Sequence, residues 1–212
     1  MGTRACWAVG RCQSYGRVGR IHRKTIIYPT SLPNHMASER GLGMVHVYTG
    51  NGKGKTTASL GLGMRAAGHG FRVLMIQFMK GDIKYGELEA VKGIPNFDIL
   101  QFGRPDFVDK ENPERIDIDL ARKGLEHARG LVNSGDIDML ILDEINVAVE
   151  WKLVTAADVI DIVMSRPKGM EIVLTGRYAP AEFIDLADTV TEMKEIKHPY
   201  MNKIMARKGV EY

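Results

Sequence analysis

From residue 44 onward, short apolar runs alternate with amphipathic or small-residue segments along the chain. The apolar runs are rich in aliphatic and aromatic residues, as buried strands are, and lie at 44–49, 72–78, 97–102, 138–144, 171–176 and 188–196. The segments between them have helical spacing or helix boundary residues, and they predict helices at 55–70, 113–133, 155–166 and 180–187. Apolar strands separated by helices are typical of an α/β fold in which a mostly parallel sheet carries helices on both faces.

Length and composition favour a single domain. With 212 residues, of which 44% are hydrophobic, the chain can bury one substantial core but has little room for a second domain of ordinary size. The strongest apolar stretch, at 72–79, is followed by Lys80 and Asp82, and no run of 18 apolar residues occurs. We therefore expect a protein that has no membrane partner.

The basic residues are distributed unevenly, which changes what the net charge of +3 implies. Residues 1–40 contain seven basic side chains and one acidic side chain, so residues 41–212 are slightly acidic. This balance argues against a nucleic-acid partner. Both cysteines, Cys6 and Cys12, also lie in residues 1–40, and the lack of cysteine in 41–212 fits a reducing, cytoplasmic setting.

Residues 1–40 have two interpretations. They are rich in Arg, Gly and Ser and lack a long apolar core, which fits an organellar transit peptide. Met36 and Met44 offer alternative starts, however, and the favoured interpretation is a mis-called leader. In both cases the composition predicts a basic, disordered extension before a folded domain at 41–212.

The stretch YTGNGKGKTT at 48–57 lies between the first predicted strand and the first predicted helix. A common phosphate-binding loop is G-x-x-x-x-G-K-[S/T], whereas here only three residues separate Gly50 from Gly54. Strand, glycines, Gly-Lys-Thr and helix together still favour a P-loop NTPase-like fold over a simple glycine-rich turn. Glycines 50, 52 and 54 let backbone N–H groups face an anion. Lys55, expected on a surface loop, would hold the outer phosphates, and Thr56 would ligate Mg²⁺.

Two further predicted strands end in residues that suit the same site. The stretch LILDE at 140–144 puts Asp143 and Glu144 at the carboxyl end of a buried strand, where ligands bind in open α/β sheets. They are expected to face the phosphate loop and its metal; the alternative is a plain polar strand end. Arg177, in LTGR at 174–177, either reaches phosphate or is solvated, and the same two interpretations remain open for Lys53 in the loop.

Six blocks of the sequence, in order, resemble the P-loop ATP:cob(I)alamin (corrinoid) adenosyltransferases. They cover about 44–212 and read HVYTGNGKGKTTASLGLGMRAAGHG, VLMIQFMKG, DMLILDEINVAV, LTGRYAP, LADTVTEMKEIKHPY and KGVEY. The short loop spacing that departs from the general pattern is shared with this family. Residues 1–40 have no counterpart in it.

The resemblance implies an enzyme that transfers the 5'-deoxyadenosyl group of ATP to the cobalt of a reduced corrinoid and releases triphosphate. It implies Mg²⁺ or Mn²⁺, held by Thr56, Asp143 and Glu144, and a homodimer with a flavoprotein reductant as a further partner. Lys53, Lys55 and Glu144 are implied as catalytic residues. The nucleotide-binding residues that it implies are Gly50, Asn51, Gly52, Lys53, Gly54, Lys55, Thr56, Thr57, Arg65 and Arg177.

The corrinoid side of the site matches the family less fully. In enteric relatives a Phe-Thr-Trp stretch contacts the lower face of the corrin, and the corresponding region here is 103–113. Phe107 is implied as a corrinoid contact, but Asp109 lies near the position of the Trp. The alternative functions are a P-loop ATPase, with Asp143 and Glu144 as a Walker B pair of metal ligand and water-activating base, and a nucleotide-regulated binding module.

Overall fold

The computed structural model describes residues 41–81, 85–106 and 108–212. In these residues six strands form one sheet, in which every pair of neighbours is parallel. The strands are β1 Val45–Thr49, β2 Val73–Phe78, β3 Phe97–Phe102, β4 Met139–Asp143, β5 Glu171–Thr175 and β6 Thr189–Glu192. Their order across the sheet is β3-β2-β4-β5-β1-β6. The predicted parallel α/β fold is confirmed.

Helices follow the strands along the chain, as the alternating pattern predicts. They are α1 Lys55–Gly68, α2 Gly86–Val91, α3 Arg115–Ser134, α4 Ile145–Glu150, α5 Ala156–Met164 and α6 Ala181–Leu186, followed by a 3₁₀ turn at Pro199–Asn202. Thr155 caps α5 as expected, because its hydroxyl accepts a hydrogen bond from the Asp158 N–H at 3.1 Å. Within the part of the chain that the structure describes, no helix is both long and apolar enough to cross a membrane.

The core consists of two apolar layers, one on each face of the sheet. One layer joins side chains of β1, β2, β4 and β5 to α3, α4, α5 and α6, and it includes Phe78, Leu142 and Phe183. The other lies under α1 and α2 and includes Met75 and Phe97. Strands β2, β4 and β5 are buried along their full lengths, which explains their nearly continuous apolar sequences.

Three features differ from the sequence prediction. Helices α2 and α4 were not predicted, because six residues are too few to show a helical period and neither helix begins after a clear boundary residue such as the Pro180 that precedes the equally short α6. Strand β6 is also shorter than the predicted 188–196. Among the described strands it is an exposed edge strand that pairs only with β1, and beyond Glu192 the chain turns to contact the loop that follows β1, so the ladder ends. The predictions about residues 1–40 lie outside the described residues.

Candidate active site

The loop at 50–54 connects the end of β1 to the start of α1, and close packing at Gly50 and Gly52 and positive φ angles at Gly50 and Gly54 favour glycine. Gly50 and Gly54 have φ angles of 92° and 120°. A Cβ atom on Gly50 would lie 2.5 Å from the Met193 carbonyl oxygen, and one on Gly52 would lie 2.7 Å from the same atom. The Gly52 N–H donates to this carbonyl at 2.7 Å, so this amide is engaged by the protein rather than turned toward an anion.

Lys55 closes the loop from within. It is the first residue of α1, and its Nζ donates to the carbonyl oxygens of Gly50 and Gly52, both at 2.8 Å. Only 7% of the residue is exposed, so the expectation of a surface lysine was wrong, because the loop folds around the side chain. Burial lowers the pKa of Lys55, and the Arg177 charge adds to this effect, while Glu144 and Asp143 oppose it.

Asp143, the last residue of β4, is fully buried and accepts hydrogen bonds at both carboxylate oxygens. Its Oδ1 accepts from the hydroxyls of Thr56 at 2.9 Å and Thr175 at 2.7 Å. Its Oδ2 accepts from Lys80 Nζ at 2.7 Å and from Gln77 Nε2 at 3.3 Å. The structure therefore brings the Thr of the phosphate loop and the strand-end carboxylate together.

Glu144 follows Asp143 directly and has a left-handed backbone, with φ at 62°. Its N–H donates to the Thr175 hydroxyl at 3.1 Å, which fixes the turn between β4 and α4. Burial raises the pKa of Glu144 and the Asp143 carboxylate raises it further, while Lys80, Lys55 and Arg177 act in the opposite direction. A buried carboxyl whose pKa is shifted by specific charged neighbours at the end of a strand is a candidate functional group.

Backbone strain is concentrated at this edge of the sheet. In the described part of the chain, five non-glycine residues have positive φ, and three of these, Met79, Glu144 and Tyr178, follow the ends of β2, β4 and β5. Such conformations are unfavourable for residues with a Cβ and are frequent at functional sites. The carboxyl ends of the parallel strands are also where ligands bind in open α/β sheets.

The other residues predicted for the phosphate site are exposed at the surface. Asn51, Lys53 and Thr57 are exposed, and Lys53 Nζ donates to the Val210 carbonyl oxygen at 2.9 Å. Arg177, also exposed, follows β5 and is close enough to Lys55 and Glu144 to influence their pKa values.

Arg65, which the resemblance implied as a nucleotide contact, lies further along α1 than the residues of the phosphate loop. Arg65 lies ten residues after Lys55, about 15 Å along α1. It lines a separate cavity of about 570 Å³ together with Tyr48, Ala58, Gly61, Leu62 and Met64. Phe107 lies outside the described residues.

Lys80, Gln77 and Thr175 contact Asp143 but were not predicted as site residues. Thr175 ends β5 and Lys80 lies two residues after β2, so both are at the same edge of the sheet as the phosphate loop. That position is the signal that would have identified them. It depends on knowing that β2 and β5 both pair with β4, which the sequence pattern alone does not reveal.

The oxygen atoms at this edge suit a divalent cation with a preference for hard ligands. The Thr56 hydroxyl and Asp143 Oδ1 lie 2.9 Å apart, and Glu144 follows in sequence. Mg²⁺ commonly takes one or two protein oxygens and completes its shell with phosphate and water, and these residues fit that requirement. Residues 41–81, 85–106 and 108–212 contain no group of three or more His, Cys, Asp or Glu that could hold a metal without such additional ligands.

Comparison with known proteins identifies the family to which this chain belongs. Residues 41–212 match the sequence profile described as ATP:corrinoid adenosyltransferase BtuR/CobO/CobP. The chain belongs to this family. The family resemblance noted in the sequence is thereby confirmed, and the ATPase alternative is not favoured.

Individual relatives agree with the profile. A corrinoid adenosyltransferase of Sinorhizobium sp. is 37% identical over 80% of this chain and 80% of its own length. The corrinoid adenosyltransferase of Escherichia coli strain K12 is 34% identical over 80% of this chain and 86% of its own. An uncharacterized protein of Nostoc sp. is 36% identical, but the chain spans only about half of it, 49%. ATP and a corrinoid are the substrates that fit this family.

Proposed function

We propose that this chain binds ATP as a metal complex at the loop 50–54 and transfers its 5'-deoxyadenosyl group to the cobalt of a reduced corrinoid. The observation that carries the proposal is the hydrogen bond between Thr56 and Asp143, with Lys55 and Glu144 adjacent to it. This contact places the first turn of α1, a helix N-terminus suited to phosphate, against a carboxylate suited to the metal.

The reaction needs no proton transfer in its chemical step. Co(I) of the corrinoid supplies an electron pair to C5' of ATP, the bond from C5' to oxygen breaks, and the triphosphate leaves with the pair from that bond. Negative charge therefore grows on the triphosphate oxygens. Preorganised positive charge and hydrogen-bond donors at that position stabilise the transition state, and the reaction does not require a general base.

Lys55 is the residue best placed to supply that positive charge. Its Nζ already lies inside the loop, 2.8 Å from the Gly50 carbonyl oxygen, and can exchange a backbone carbonyl for a phosphate oxygen with little movement. Arg177 is exposed at the same edge and would add a second cation. Lys53 would have to release the Val210 carbonyl oxygen before reaching the nucleotide.

Thr56, Asp143 and Glu144 would hold Mg²⁺, or Mn²⁺ in its place. A divalent cation held by these residues would supply positive charge that offsets the charge developing on the leaving group. Glu144, in this proposal, binds the cation directly or through water. It does not act as a base.

We further propose that residues 41–212 carry this activity as a P-loop domain, since the family profile matches this range. A flavoprotein that supplies electrons to the corrinoid and a homodimeric assembly complete the proposal. The flavoprotein and the homodimer are proposed from the family resemblance alone.

An anaerobic assay with ATP and chemically reduced cobalamin tests the function. We expect a change in the corrinoid absorption spectrum as the cobalt–carbon bond forms, together with one triphosphate per adenosylated corrinoid. An ATPase would release ADP and phosphate without corrinoid, and a binding module would produce neither set of products. Either result would refute the proposal.

A further inference from the structure

A buried ammonium group lies beside the proposed metal-binding carboxylate. Lys80 follows β2 by two residues, and its Nζ lies 2.7 Å from Asp143 Oδ2. The side chains of the two residues are 15% and 0% exposed. The same ammonium group lies 5.3 Å from the centre of the Tyr85 ring. A lysine held in this way is not a solvated surface charge, and the proposed mechanism gives it no role.

The backbone around Lys80 is arranged to hold the side chain there. Met79 has φ at 56°, an unfavourable conformation that turns the chain immediately after β2, and its N–H donates to the Phe102 carbonyl oxygen at 3.0 Å. On the other side of Lys80, a Cβ on Gly81 would collide with the Gly103 carbonyl oxygen. Lys80 thus lies between a strained residue and a tight backbone crossing, which restricts where its side chain can reach.

The hydrogen bonds of Asp143 divide the carboxylate into two halves. Oδ1 accepts from the hydroxyls of Thr56 and Thr175, whereas Oδ2 accepts from Lys80 and the Gln77 amide. Gln77 is held in turn by Gln101, whose Nε2 donates to Gln77 Oε1 at 2.9 Å. A hydroxyl can rotate and present a lone pair to a cation, but an ammonium group has only donors. Only the Oδ1 side can therefore open to a metal.

We propose that Lys80 is a positioning residue, which holds Oδ2 of Asp143 so that Oδ1 and the Thr56 hydroxyl together receive the metal of the metal–ATP complex. This inference rests on the proposed function. Groups that orient a metal ligand without touching the metal commonly change metal affinity by 10- to 100-fold when they are removed. Lys80 acts on the metal through Asp143 and does not contact ATP.

Lys80→Met tests the role, because methionine keeps much of the side-chain volume and removes the charge. Lys92→Met is the matched control, since Lys92 forms an exposed ion pair with Glu89 at 2.6 Å. For each protein, ATP affinity is measured by calorimetry with Mg²⁺ and again in EDTA. The dissociation constant in EDTA divided by the dissociation constant with Mg²⁺ is the ratio that reports the contribution of the metal. Thermal unfolding reports whether the fold is intact.

The expected result is that this ratio falls about tenfold in Lys80→Met, while ATP affinity in EDTA and both values for Lys92→Met stay at the wild-type level. A purely structural role for Lys80 would lower the unfolding temperature and leave the ratio unchanged, which would overturn the inference. A loss of ATP affinity in EDTA would also overturn it, since Lys80 would then contact the phosphates directly.

Should Lys80→Met fail to fold, Lys80→Gln keeps a polar group at the position and still removes the charge. The ratio is expected to fall in this variant as well, and a wild-type ratio would overturn the inference. Failure of the proposed function would appear differently, because wild-type protein would then show no metal-dependent ATP binding or no adenosyl transfer.

Discussion

Thr56 and Asp143 are joined by a hydrogen bond of 2.9 Å between Oγ1 and Oδ1, although the strands that precede them are not neighbours. Thr56 lies in the first turn of α1, which follows β1, while Asp143 ends β4, and β5 lies between these two strands. Helix α1 packs across the sheet onto β4 and thereby spans the gap. The candidate metal site thus depends on the strand order as much as on the sequence of the loop.

Lys55→Ala is expected to abolish turnover and leave the fold intact. The side chain donates hydrogen bonds to two carbonyl oxygens of its own loop. The loss of these two bonds is expected to lower the free energy of unfolding by about 1–2 kcal/mol. Without the positive charge of Lys55 beside the leaving triphosphate, kcat is expected to fall at least a hundredfold. The measurements are steady-state adenosylation and denaturant unfolding. Near-normal kcat with normal ATP affinity would contradict the role assigned to Lys55.

Deletion of residues 1–40 is expected to leave both activity and unfolding temperature unchanged. The family profile matches from residue 41, and the first strand that the structure describes begins at Val45. The measurement compares the full chain with residues 41–212 in the adenosylation assay and in a thermal melt. A marked fall in unfolding temperature on deletion would mean that the domain boundary is wrong.

Local pattern was sufficient to predict the strands and the phosphate loop, but not the contacts between distant segments. The loop was recognisable because strand end, glycines and helix start are contiguous. Lys80 was missed as a site residue because its partner Asp143 is 63 residues away and meets it only through the pairing of β2 with β4. The end of β6 was misplaced for a similar reason, since residues 193–194 pack on Gly50 and Gly52.

Two glycines of α3 offer a matched pair for stability. A Cβ on Gly130 would meet nothing within 4 Å, so Gly130→Ala is expected to stabilise the protein by about 0.5–1 kcal/mol. A Cβ on Gly124 would lie 3.0 Å from Phe78 and 3.1 Å from Phe102, so Gly124→Ala is expected to be destabilising by about 1 kcal/mol or more. Denaturant unfolding measures both. Equal gains in the two variants would mean that the aromatic rings move aside at no cost.

Glu171 gives a pH dependence that is separate from the active site. Burial tends to raise the pKa of Glu171, but the hydrogen bond to His46 at 2.6 Å and the N–H groups of Gly43 and Met44 outweigh it, so the pKa is lowered. A carboxyl whose pKa is lower in the folded state stabilises the fold above its unfolded pKa, and this stability is lost as pH falls through the folded pKa.

Glu171→Gln is therefore expected to reduce the free energy of unfolding at neutral pH by about 1–2 kcal/mol, with the difference from wild type disappearing in acid. Glu171 begins β5, at the opposite end of the strand from Thr175, so kcat is expected to be unaffected. Urea unfolding at several pH values measures the effect, and Glu126→Gln, an exposed change on α3, is the control. A difference that persists unchanged into acid would show that the ionised form of Glu171 is not what stabilises the fold.

Glu144→Gln distinguishes a metal-holding carboxylate from a catalytic base. If Glu144 only helps to hold Mg²⁺, its loss is expected to raise the Mg²⁺ concentration for half-maximal activity by roughly tenfold, and excess Mg²⁺ should recover much of the rate. Turnover is measured against Mg²⁺ concentration, with phosphate and triphosphate quantified separately. Glu150→Gln, an exposed change at the end of α4, is expected to behave as wild type.

A hydrolytic base would give a different result, because Gln cannot accept the proton of an attacking water and no amount of Mg²⁺ replaces that function. The relevant case is a wild-type protein that releases phosphate steadily without corrinoid and a variant that loses this release at every Mg²⁺ concentration. That pair of results would assign Asp143 and Glu144 to ATP hydrolysis, since in adenosyl transfer the triphosphate leaves intact and no proton is removed from the nucleophile.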